Sequence, residues 1–227
     1  MPVGHHRGSG APMHLSTPTH RIPIPVDGMQ MASCLQLPPR TQGVVLCTHG
    51  HQPGHLPQAA AVTRELHAQH LGTWLLDLLS LGESLDPQTR FDISLLTHRL
   101  LVATRWAMQH APTQHLPLGY FCSQTSAAAA LQAAAALPEC IKAVASHDGR
   151  PDLAGPHDLA RVQAPTLLLV DQDTQAQTAN HAAYVRLQCD KSWSIVAASS
   201  GPLATPTAQQ EVARLTAAWF RHHLHGL

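Results

Sequence analysis

The 227-residue chain is 44% hydrophobic and only 12% charged, with 14 basic residues against 14 acidic ones. That is apolar side chain enough for one ordinary domain, and too little charge to mark a nucleic-acid or anionic-membrane binder. No apolar run approaches bilayer length, and the opening MPVGHHRGSGAPMH has no apolar core, so neither a membrane span nor a secretory signal is expected.

Five widely spaced cysteines (34, 47, 122, 140 and 189) form no CxxC pair and read as reduced thiols of a cytoplasmic protein. Eighteen histidines are unusual. Most are expected to serve as polar surface in a chain poor in Lys and Glu.

Residues 1–20, rich in Gly, Pro, His, Ser and Thr, read as a flexible arm ahead of one domain over 21–227. Arg21–Val26 and Met31–Leu37 are expected to pair as a hairpin about Asp27-Gly28. Gly43–Thr48 is an apolar, β-branched run ending at His49-Gly50, the pattern of a buried parallel strand.

A helix is expected over Gln58–His70 and a strand over Gly72–Leu78. A long amphipathic helix follows over Phe91–Gln109, where Ile93, Leu96, Leu100 and Leu101 recur at helical spacing. Next come a strand at Leu116–Cys122 and an alanine-rich helix at Thr125–Leu137, whose small side chains suit close packing on a sheet. Strands at Ile141–Ser146, Pro165–Val170 and Ser192–Ala197 alternate with a helical turn at Leu159–Val162 and helices at Thr178–Arg186 and Ala208–His223. Strand–helix alternation with short connections predicts an α/β fold with a mostly parallel sheet and helices on both faces.

Several stretches in this order resemble the small dienelactone-hydrolase-like branch of the α/β-hydrolase superfamily. They are VVLCTHG, TWLLDLL with FDISLLTHRLLVATRWAMQ, LPLGYFCSQTSAAAAL, GRPDLAGP, APTLLLVDQDT and EVARLTAAWFRHHL. The resemblance implies a single-domain α/β-hydrolase fold and a catalytic triad of nucleophile, acid and histidine. Laid on this chain, the nucleophile position falls on Gln124, with Cys122 and Ser126 at the flanking glycine positions. The acid falls on Asp173, with Asp171 close behind, and the histidine position on Gly201. No histidine occurs from Ala182 to Arg221. Gln carries no ionisable nucleophile, so the resemblance implies a degenerate triad.

Ser123, Cys122 or Thr125 is a candidate displaced nucleophile, with His49, His51 or His147 as base. The plainer reading makes them small residues tucked under the central helix. His49, His51 and His55 share an H-x-H-x3-H loop of zinc-ligand type. The same His49-Gly50 is what a hydrolase oxyanion loop shows, and no metal is expected. His147-Asp148 closes a strand at the edge where open α/β sheets keep their crevice. His222, His223 and His225 suit a helix C-terminus.

The expected protein keeps the fold and has lost serine-esterase chemistry. It uses a crevice formed by His49, Gly50, His51, Cys122, Ser123, Gln124, Thr125 and His147 to bind a small molecule, or its surface to bind a protein partner. No cofactor is expected. The alternative is an active hydrolase of small esters or lactones using a displaced Ser or Cys.

Overall fold

Six parallel strands carry the architecture, and each overlaps a strand expected from the sequence. The computed structural model describes residues 17–48, 56–172, 176–197 and 204–225. Its elements are β1 (Thr19–Arg21), β2 (Ile24–Val26), β3 (Met29–Met31), β4 (Ser33–Gln36), β5 (Gly43–Thr48), α1 (Leu56–Ala68) and β6 (Leu71–Leu76). There follow α2 (Leu81–Leu85), α3 (Pro87–Arg90), α4 (Ile93–Gln109), β7 (Leu118–Gln124), α5 (Ser126–Ala136) and β8 (Ile141–Gly149). A 3-10 turn (Pro151–Ala154), α6 (Pro156–Arg161), β9 (Thr166–Asp171), α7 (Ala176–Arg186), β10 (Lys191–Val196) and α8 (Pro206–Leu224) complete the chain.

The main sheet runs β1-β4-β6-β5-β7-β8-β9-β10, parallel from β6 to β10, with β4 and β1 added antiparallel at one edge. β5 and β9 are buried at every residue, as strands covered on both faces must be. One apolar cluster joins α4 and α5 to the sheet, and a second joins α1 and α8 to the opposite face. Among the described residues no helix is long and apolar enough to cross a membrane.

The expected hairpin forms, but only as β2 against β3. Asp27 (φ 50°) and Gly28 (φ 76°) make its turn, the left-handed pair that a type I′ turn requires. Beyond Met31 the chain leaves that ribbon, and β4 joins the main sheet against β6. The expected second strand is therefore divided between two sheets.

The helix expected from Phe91 begins instead at Ile93, because Asp92 caps it by accepting the Leu95 amide at 2.9 Å. Ahead of it stand α2 and α3, two short helices without a buried residue. Ser80 and Glu83 close a reciprocal capping box on α2, and Asp86 caps α3. Arg99, buried on α4, donates to both Glu83 carboxylate oxygens at 2.9 and 2.7 Å and to the Leu78 carbonyl at 2.8 Å.

The Arg99 hydrogen bonds pull the Glu83 carboxyl from 4.5 down to about 2. A carboxyl depressed in the folded state stabilises above its unfolded pKa and loses that contribution as pH falls through the folded one. The Glu83–Arg99 contribution is thus complete above about 4.5 and vanishes toward about 2. Glu83→Gln should flatten the acid limb of the stability curve across that window, as read by urea denaturation at stepped pH. An unchanged limb would remove Glu83 as its source.

Candidate active site

The strand-to-helix junction after β7 is sharp. Gln124 sits at its tip with φ 51°, a left-handed conformation uncommon for a non-glycine residue. Thr125 is the N-cap of α5 and leaves the helix without a side-chain cap. Below the tip, Ser126 Oγ accepts from Thr48 Oγ1 at 2.9 Å and donates to the Ser123 carbonyl at 2.6 Å. A hydroxyl here ties the turn to β5 and to its own strand. The Ala-rich run after it is buried on almost every side, so α5 lies close on the sheet.

β8 meets the turn with an irregularity. Ser123 pairs with His147 and Gln124 with Gly149, leaving Asp148 (φ 45°) as a surplus residue. The Arg150 amide then donates to the Gln124 carbonyl at 2.8 Å, fastening the end of β8 to the tip.

Under this junction lies a buried polar chain. His147 is fully buried, and its Nε2 is 2.9 Å from Asp171 Oδ1 at the end of β9. Its Nδ1 is 2.6 Å from Nε2 of Gln58, on the first turn of α1. With Asp171 as acceptor, Nε2 carries the proton and Nδ1 offers its lone pair to the Gln58 amide. Both ring nitrogens are thereby engaged. The partner of His147 is Asp171, two strands' ends meeting side by side, rather than its chain neighbour Asp148.

The remaining candidates separate cleanly. Cys122 is fully buried, and burial pushes its thiol up to about 12, far from a thiolate at neutral pH. Ser123 is buried beside His147 in the strand register. Gln124 and Thr125 are half-buried at the turn itself. His49, Gly50, His51, Asp173 and Gly201 lie outside the described residues. Among the described residues no cluster of His, Cys, Asp or Glu is arranged to hold a metal ion.

Gln58 was absent from the sequence expectations, although a signal for it exists. Gln58, Ala61, Val62 and Leu66 fall at i, i+3, i+4 and i+8 and are all buried. A polar residue on that stripe requires a buried polar partner.

A sheet of this order with a left-handed residue at the β7–α5 turn defines an α/β-hydrolase fold. The comparisons narrow this class. A dienelactone hydrolase from Anabaena variabilis is 37% identical, with a TM-score of 0.83 over 92% of this chain and 99% of that one. The chain belongs to the dienelactone hydrolase family.

A cold-adapted esterase from an Arctic intertidal metagenomic library, 14% identical with a TM-score of 0.74 over 92% of this chain and 95% of that one, shares the fold. Curated relatives from two strains of Mycobacterium tuberculosis, provisionally named phosphoribosyl transferase, are 35% identical over 206 residues, which is 90% of this chain. The match is 45% of each relative, so the chain spans a little under half the length of these curated relatives. No family model matches the chain.

Proposed function

We propose that this domain no longer hydrolyses esters, and that its crevice binds a small molecule through the Gln124 amide. The observation that carries this is Gln124 itself: the turn keeps its left-handed backbone while presenting a side chain that cannot attack a carbonyl. A carboxamide both donates and accepts, which suits a carbonyl or amide ligand.

Two further features support the reading over a displaced-nucleophile hydrolase. The Cys122 thiol is buried and held protonated. His147 has neither ring nitrogen to spare for taking a proton from Ser123 while Gln58 and Asp171 hold it.

The relatives' name suggests what this domain accompanies. The matched region is 45% of each relative, and the likeness to a dienelactone hydrolase covers 99% of that enzyme. We therefore assign the transferase chemistry to the part of the relatives that this chain does not match. This domain would work beside a phosphoribosyl transferase domain, in the same chain or in another.

The test is turnover of p-nitrophenyl acetate and butyrate by the purified protein, beside Ser123→Ala and Cys122→Ala. The expected result is no turnover above the uncatalysed rate in all three. Turnover by the natural chain that either substitution abolishes would overturn the loss of hydrolysis.

A further inference from the structure

We propose that the α2–α3 excursion is the face on which a phosphoribosyl transferase domain docks. The inference rests on the companion role assigned above. Leu81, Leu85 and Phe91 are 71%, 75% and 55% exposed, three large apolar side chains within eleven residues. Leu81 and Leu85 are one helical turn apart in α2 and share a face. Among the described residues the other large exposed apolar side chains, Met108, Val185 and Ile195, belong to α4, α7 and β10. Scattered apolar residues of that kind are ordinary on a protein surface.

Apolar packing does not explain why this segment is ordered, because neither short helix buries a residue. It is held by polar devices instead. These are the Ser80–Glu83 capping box, the Asp86 and Asp92 caps, and the fork of Arg99 on Glu83. A segment fixed this way holds its leucines outward and loses little freedom when it is covered. That is the character of a preorganised binding surface.

The relatives point to what covers it. More than half of each lies outside the match, which is room for a second domain of ordinary size. Fusion keeps two domains at high effective concentration, so a modest apolar knob suffices to join them. The surroundings of the knob add Asp86 and Asp92 against Arg90. The facing surface should therefore be an apolar pocket flanked by basic groups.

Hydroxyl-radical footprinting of this chain and of the intact Mycobacterium tuberculosis relative tests the assignment. In this chain Leu81, Leu85 and Phe91 should oxidise at the rates of free side chains. In the relative the aligned segment should oxidise about tenfold more slowly after correction for residue type, as expected on entering an interface core. The position aligned with Val185 should be equally fast in both.

Equal rates in the aligned segment would overturn the docking face and leave the loss of hydrolysis, read by the ester assay, untouched. Oxidation of Leu85 that slows as this chain is concentrated, with self-association abolished by Leu85→Asp, would give the face to a second copy and overturn the proposal.

Discussion

Asp171→Ala is expected to cost about 1–3 kcal/mol, the scale for leaving a buried donor without its acceptor. The carboxylate is 2% exposed and accepts from a histidine that water does not reach. Its removal strands Nε2–H of His147 at the end of β8 and opens a void between two strands. Replacing the whole polar chain, Asp171→Leu with His147→Leu and Gln58→Leu, should recover much of the loss, because apolar side chains of similar volume need no hydrogen bonds. Urea denaturation of the single and triple variants gives both numbers. A single-variant loss below about 1 kcal/mol would mean that water enters and solvates His147. The buried chain would then be an accessible site rather than a structural brace.

Gly149→Ala should be the second costly change, at about 1–3 kcal/mol. A Cβ at Gly149 would fall 2.5 Å from the Ala127 Cβ and closer still to Ser146 Oγ. Ser146 Oγ can turn about χ1, but the Ala127 Cβ is fixed to its backbone, so β8 or α5 must move. The Gln124 carbonyl lies 3.4 Å from the same point and holds the Arg150 amide, so the disturbance reaches the tip of the turn. Faster hydrogen exchange in the first turn of α5 should accompany the lost stability. Wild-type protection at Ala127–Ala130 would show that the site has slack that the structure does not display.

The sheet was readable because a parallel strand buried on both faces leaves a compact apolar run, as GVVLCT and TLLLVD do. The place of the turn followed from the same cause: the ends of β7 and β8 set Ser123 beside His147. The His147–Asp171 bond was not. It joins residues 24 apart, and their meeting depends on β8 and β9 being neighbours, which a strand count alone does not say.

The short helices α2 and α3 escaped the period-based reading, since five and four residues are too few to show a period. Their signals were chemical: Ser80 and Glu83 at capping-box spacing, and Asp86 directly before Pro87. The division of residues 31–37 between two sheets had no local mark at all. It reflects competition for β6, a partner forty residues away.

The surplus residue at 148 acts as a change of phase. Side chains alternate across a strand, so in a regular ladder with residue 148 paired, His147 and Gly149 would face the same layer. With the surplus residue, His147 is among residues on the α1 side, while the hydrogen of Gly149 points to Ala127 of α5. A single strand thus serves two layers with consecutive business, one a brace and the other a tight seam.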